Sequence, residues 1–261
     1  VKIQPTIIAV TGSMGKTSAK QAIEIALSVK HHVRGNKKNF NNEFGVPLTI
    51  LGVDSPGRSL GGWLKVLYGA MPKDYPEMLV LEFGADRPGD IEALCRLAPP
   101  NVGVVTGLST VHAANFKNVD ELALEKSKII SLLPADGLAI LNSDDAKVLL
   151  MSGLTEAKVI NFGSRSSQWS FQNLRLQTRL DDSFDPGEIF AVTSANVTHD
   201  GSVIGELRLL NCLGYAPVMA CLAGIAVATE FGVLPTEAIN ALNESYRPVP
   251  GRLNPLPGIK G

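Results

Sequence analysis

The sequence predicts an α/β fold: a doubly wound, mostly parallel sheet of the phosphate-loop type, with a small antiparallel β subregion attached. Three observations carry that reading. Short apolar runs recur at Ile7–Val10, Met78–Leu81, Val102–Val105, Leu138–Leu141 and Lys158–Phe162, as in strands covered on both faces. Helical patterns stand between them, and strands alternating with helices imply parallel crossovers. From about 165 to 213 the character changes. Trp169–Leu180, Glu188–Thr198 and Ser202–Leu210 read as β-rich stretches, with turn signals at Asp185-Pro186-Gly187 and Asp200-Gly201.

The first run leads into Thr11-Gly12-Ser13-Met14-Gly15-Lys16-Thr17-Ser18, and a helical pattern follows over 16–29. Strand, glycine turn, Lys-Thr and helix together make a phosphate-binding loop. Glycines let backbone N–H groups close on phosphate oxygens, and the helix N-terminus adds its positive dipole end. In such a loop Lys16 reaches the β/γ-phosphates and the Thr17 hydroxyl ligates Mg²⁺. The glycine usual five residues before Gly15 is Val10 here, so this is the shortened form G-x-x-G-K-T.

Next comes a basic patch, Lys30-His31-His32-Val33-Arg34, read as a solvated helix end or a lure for an anionic substrate. Neighbouring His31 and His32 point apart on one element, which argues against a metal pair. The polar segment Asn41-Asn42-Glu43 precedes an apolar run. It suits either a grip on a polar ligand or ordinary turn chemistry. Residues 57–75, with Trp63, Leu64, Val66, Leu67 and Tyr68, read as an amphipathic helix over one edge.

Strand 78–81 ends in Glu82, where a phosphate-loop enzyme keeps its second metal-binding acid; Asp86 is the alternative. Pro88-Gly89-Asp90 opens a helix to Ala98. Strand 102–106 leads to His112, either a hydrogen-bonded structural residue or a metal ligand. In the helix 119–133, Leu122, Ile129, Ile130 and Leu133 form one stripe with Lys126 in its middle, and Glu121, Glu125 and Lys128 fall on the other side. A lysine on a buried face snorkels to solvent, pairs or changes chemically. Burial lowers its pKa and leaves a neutral amine able to take up CO₂ as a carbamate, an anionic metal ligand. A helix near 144–151 follows, and helices 217–231 and 235–245 close the chain before a linker-like run from Arg247 to Gly261.

Composition bounds the rest. At 261 residues the chain suffices for one large domain or two small ones. A net charge of −1 leaves no electrostatic footprint for nucleic acid. Cys95, Cys212 and Cys221 lack metal-type spacing and read as buried free thiols of a reducing compartment. The most apolar stretch, Val218–Thr229, is about a dozen residues and too short to cross a bilayer. Starting at Val1 and stopping after a Pro/Gly-rich run, the chain reads as a piece of a longer polypeptide.

Taken in order, Thr11–Ser18, Asn41–Thr49, Glu82–Ile91, His112, Lys126 and Gly251-Arg252-Leu253 resemble the central ATPase domain of the Mur ligases, and within them the MurF type. The resemblance implies that residues 1–250 are that domain and 251–261 a linker toward a C-terminal domain, the flanking domains being absent. It implies a cytoplasmic, monomeric enzyme of peptidoglycan precursor synthesis. Such an enzyme uses ATP and two Mg²⁺ to activate the carboxylate of a UDP-MurNAc-peptide for attack by D-Ala-D-Ala. Gly12, Ser13, Met14, Gly15, Lys16, Thr17, Ser18 and Arg252 would hold the nucleotide, with Thr17 and Glu82 on one cation. His112 and a carbamylated Lys126 would serve the other, and Asn41, Asn42 and Glu43 would face substrate. The family's usual His and Asn near the start of the 217–231 helix are matched by Ala216 and Ala220, and its Asn after Thr106 by Gly107. With the flanking domains absent, the 261 residues alone are expected to have little or no ligase activity. Another Mur or folylpolyglutamate-synthetase-like ligase, and a degenerate nucleotide-binding scaffold, are the alternatives.

Overall fold

The computed structural model describes residues 4–37, 40–54, 57, 59, 75–109, 115–165, 167–178 and 188–248. Most of the expected 57–75 helix, His112, Arg252 and the Asp185-Pro186-Gly187 turn lie outside them. The described strands are β1 (Thr6–Thr11), β2 (Val33–Gly35), β3 (Met78–Glu82), β4 (Val102–Val105), β5 (Leu138–Asn142), β6 (Lys158–Phe162), β7 (Trp169–Thr178), β8 (Ala191–His199) and β9 (Ser202–Leu210). They form one sheet in the order β2-β3-β1-β4-β5-β6-β7-β8-β9. Pairing is parallel from β2 through β7 and antiparallel over β7–β8–β9.

The helices are α1 (Lys16–Leu27), α2 (Gly45–Leu51), α3 (Asp90–Leu97), α4 (Val119–Ser131), α5 (Ala146–Leu149), α6 (Tyr215–Glu230) and α7 (Pro235–Ser245), with a 3₁₀ turn at Leu150–Leu154. Period-2 alternation in the central strands feeds two cores. Ile8, Val10, Val80 and Val104 meet α1, α6 and α7 on one face. Ala9, Leu79, Leu81 and Val105 meet α3 and α4 on the other. That double cover is why these strands read as unbroken apolar runs. α1 and α6 cross closely: a Cβ on Gly224 would lie 2.8 Å from the Ala22 backbone.

β1 lies between β3 and β4, so the chain leaves it to one side and later returns to the other. In open α/β sheets ligands bind at such a switch point, beyond the carboxyl ends of the strands. Thr11, Glu82, Val105 and Asn142 end the four strands concerned. The stretch read as a basic patch and polar loop contains β2 and α2. β2 is a three-residue, half-buried edge strand with no apolar run to betray it, and α2 tolerates Pro47 because it falls in the first turn.

Candidate functional site

The loop between β1 and α1 is shaped by its glycines. Gly12 (φ 144°) and Gly15 (φ 80°) are in the left-handed region, and a Cβ on Gly12 would lie 2.1 Å from Thr106 Oγ1. Only glycine fits there. Thr106 Oγ1 donates to Met14 O at 2.5 Å, and Ser13 N donates to Gly107 O at 2.7 Å, so the end of β4 holds the loop. α1 begins without a side-chain cap, which leaves its first N–H groups turned to the loop. Lys16 Nζ donates to Gly12 O at 2.9 Å, folded over the loop it would leave for a phosphate. Ser13 Oγ is buried with no hydrogen-bond partner among the described residues. A buried hydroxyl without a partner beside an uncapped helix start fits a phosphate oxygen, since buried polar groups otherwise find partners.

Glu82, at the end of β3, is buried. Its Oε2 accepts from Thr17 Oγ1 at 2.8 Å and its Oε1 from Asn41 Nδ2 at 3.4 Å. Buried Asn36, unforeseen in the sequence, sets the strand end: Asn36 Oδ1 accepts from Glu82 N at 2.9 Å. Hydroxyl and carboxylate oxygens side by side are hard oxygen donors of the kind Mg²⁺ takes. Among the described residues no three His, Cys, Asp or Glu side chains converge as a closed metal cage. Of the three residues proposed to face substrate, Asn41 joins Glu82. Asn42 instead performs turn chemistry, its Oδ1 accepting from Phe44 N at 3.2 Å and Gly45 N at 3.0 Å ahead of α2. Glu43 is exposed, and so is Asp86, the alternative acid.

Lys126 does not snorkel: it is 3% exposed, in α4. Burial pulls its pKa down to about 8, the Lys16 ammonium adds to the fall, and Glu125, Glu82 and Asp86 oppose it. That set of neighbours brings Lys126 into the field of the Thr17–Glu82 pair. Glu125 corrects the sequence reading, which placed it on the solvent side. It is buried, and its carboxylate accepts from Gly89 N at 2.8 Å and Ile91 N at 2.7 Å. α4 thus caps the start of α3 and fixes the loop after Glu82. The partner is a helix end 34 residues away, which local periodicity cannot reveal.

On the other flank of the loop a cleft of ≈ 290 Å³ opens between α1, β4, β5 and α6. Ala19, Leu108, Phe162, Ala216, Met219 and Ala220 give it apolar walls. Asn142, Asp144 and Asp145 stand at its rim with Tyr215, whose hydroxyl donates to Asp144 Oδ2 at 3.3 Å. Burial, and then the Asp144 carboxylate, hold the Tyr215 phenol above its ordinary range, so it remains a donor. Sequence reasoning missed this rim. A signal existed: Asn142-Ser143-Asp144-Asp145 clusters polar side chains at the carboxyl end of a buried strand.

The family model for the Mur ligase middle domain matches residues 10–219. The chain belongs to the Mur ligase family. Over 155 residues this Mur ligase domain is 37% identical to the UDP-N-acetylmuramoyl-tripeptide–D-alanyl-D-alanine ligase of Mycobacterium leprae, covering 59% of the chain and 26% of the relative. The fold is shared with MurF from Acinetobacter baumannii, at a TM-score of 0.75 and 22% identity over 95% of this chain and 48% of that one. It is shared also with MurF ligase from Thermotoga maritima in complex with ADP, at 0.73 and 24% over 97% and 51%. The chain therefore spans about half the length of those solved structures and a quarter of the mycobacterial relative.

Proposed function

We propose that this Mur ligase domain is the ATP-binding core of a MurF-type amide ligase of peptidoglycan precursor synthesis. The observation that carries the reading is the convergence at the switch point of an uncapped helix start, Lys16, the Thr17–Glu82 pair and the buried Lys126. The Thermotoga maritima relative, solved with ADP, supports a nucleotide on this fold.

In the reaction, a carboxylate oxygen of UDP-MurNAc-tripeptide attacks the γ-phosphorus of ATP; an O–P bond forms, the β,γ-bridging bond breaks and ADP leaves. The amine of D-Ala-D-Ala then attacks the acyl carbon; a C–N bond forms, the C–O bond to phosphate breaks, and the amine loses a proton. Little of this needs covalent help from the protein, so its task is to position the reactants and neutralise charge. The loop N–H groups and Lys16 hold the β/γ-phosphates, and Ser13 Oγ gains its missing partner. Thr17 and Glu82 would hold Mg²⁺, which offsets the repulsion between a carboxylate and a triphosphate. The lowered pKa makes Lys126 a better amine for CO₂ at neutral pH than a surface lysine; the carbamate would sit as an anion near Lys16, able with His112 to hold a second cation. Asn41, bonded to Glu82, would carry the entry of substrate to the metal, and exposed Glu43, two residues on, would meet substrate from solvent.

The test is ADP release by the full-length protein that carries this chain. ADP formation that requires both UDP-MurNAc-tripeptide and D-Ala-D-Ala, and yields the pentapeptide product, is the expected result. Turnover with a different acceptor instead, or none with this pair, overturns the reading.

A further inference from the structure

The basic patch from Lys30 to Arg34 divides in the fold. Lys30 Nζ donates to Gly232 O at 2.8 Å and pairs with Glu237, while His31 lies between Glu77 and Phe231 O. Those two residues tie the turn before β2 to the end of α6 and the start of α7. Val33 packs on the core beneath α1, so Arg34, next along the strand, turns to the opposite face. There it lines a cavity of ≈ 210 Å³ with Lys37, Phe40, Leu48, Thr49 and Val53.

Neighbours place the Arg34 guanidinium without bonding its inner nitrogen. Its central carbon stands 5.3 Å from the centre of the Tyr75 ring. A Cβ on Gly52 (φ 71°), just past α2, would lie 2.5 Å from Arg34 Nη1, so glycine is what permits the approach. A cation at a helix C-terminus commonly bonds the last carbonyls. Here these are taken: Leu48 O accepts from Val53 N, Thr49 O from Gly52 N, and Ile50 O from the Tyr75 hydroxyl. Arg34 Nη1 is buried with no hydrogen-bond partner among the described residues. An unbonded buried donor is costly, and more so when charged. The cavity beside it is where an acceptor fits.

Three properties define that acceptor. Guanidinium donors lie in one plane and match the paired oxygens of a carboxylate or phosphate. Lys37 is paired with Asp54, and no acid among the described residues pairs with Arg34, so the site keeps a single positive charge. A monoanion neutralises that charge, whereas a phosphate dianion overshoots it. Phe40, Leu48 and Val53 supply apolar walls, and the Thr49 hydroxyl is already given to Gly45 O, so the rest of the ligand is apolar. The volume falls below the roughly 300 Å³ at which drug-sized sites begin, which excludes a nucleotide.

We propose that the cavity between β2 and α2 is a second binding site, taking a small aliphatic monocarboxylate whose carboxylate lies against Arg34. It uses no residue of the phosphate loop or of the Thr17–Glu82 pair, and it stands or falls apart from the nucleotide reading.

NMR titration of the chain with isovalerate, acetate and inorganic phosphate at constant ionic strength tests it, with the Arg34 Nε–H and the Val53 methyl groups as reporters. Saturable shifts of both reporters with isovalerate are expected, and acetate should bind about tenfold more weakly or worse, because its stem buries fewer carbons. In Arg34→Gln, shown to be folded by circular dichroism, the Val53 response to isovalerate should be lost. No saturable shift at tens of millimolar isovalerate overturns the proposal, and this outcome is read on the parent even where the variant does not fold. Equal affinity for acetate and isovalerate, tighter binding of phosphate at Arg34, or an unchanged isovalerate response in folded Arg34→Gln each overturns it as well.

Discussion

The two flanks of the α1 N-terminus meet the same segment of chain with opposite physics. On one side Glu82, Glu125 and Lys126 are buried close to half-buried Lys16; burial first, and then the Lys16 ammonium, lowers the Lys126 pKa against the pull of the glutamates. On the other, aliphatic and phenyl walls face a cavity whose polar side chains are bonded to the protein itself. Charge recognition is strong but expensive to hold without its ligand; shape recognition is weaker and tolerant. The contrast is between a flank that gathers charged groups and a flank that offers apolar surface.

The largest effect expected is on the charged flank. A buried lysine with a lowered pKa should make the protein more stable as the pH rises. Between about pH 8 and the ordinary lysine value of 10.5 the unfolded chain still carries a proton that the folded chain has shed, so stability increases across that window. Below it the folded state bears the whole cost of the buried ammonium, roughly 3 kcal/mol. Lys126→Met should therefore be more stable than the parent at pH 7 by that order and lose the alkaline rise, read by urea titration in bicarbonate-free buffer. An unchanged pH profile would place Lys126 outside the low-dielectric flank.

Lys16→Ala should follow, weakening Mg-ATP by about a hundredfold, the worth of a charge-assisted hydrogen bond to phosphate. A loss of no more than a few-fold would move recognition away from the loop. Glu125→Ala removes the acceptor of two N–H groups at the start of α3, and should cost about 2 kcal/mol in a urea melt. An unchanged midpoint would mean that water replaces the carboxylate. The smallest effect belongs to the shape-recognising flank. Asp145→Ala uncaps the short α5 and frees Leu108 N, and should lower stability by about 1 kcal/mol. It should also loosen Mg-ATP less than Lys16→Ala does. The reverse order would break the contrast between the flanks.

Much of this was legible in the chain. Glycine spacing after a strand placed the turn between β1 and α1, and the end of an apolar run placed Glu82, which lies beside Thr17. The 3.6-residue stripe put Lys126 on the buried face, where spacing alone favoured snorkelling to solvent; the side chain stays inside instead. Continuous apolar runs gave the parallel strands, and the change of character after 165 gave the antiparallel end of the sheet. What escaped was non-local or short. Glu125 is polar and off the stripe, and only a second helix docking against α4 buries it. β2 is three residues long at a sheet edge, and α2 begins among turn residues. Asn42 was indistinguishable from Asn41 by composition, yet one caps a turn and the other reaches Glu82. The cleft required β4, β5 and α6 to be brought together, which no single segment announces.

The central claim is that the loop between β1 and α1 binds nucleotide phosphates through Lys16. The most direct measurement is a calorimetric titration with Mg-bound β,γ-imido-ATP of the parent chain beside Lys16→Ala, with circular dichroism confirming that both are folded. Saturable 1:1 binding by the parent that weakens about a hundredfold in the variant is the predicted result. Equal affinity in the two folded proteins, or no heat from the parent at millimolar nucleotide, would contradict it.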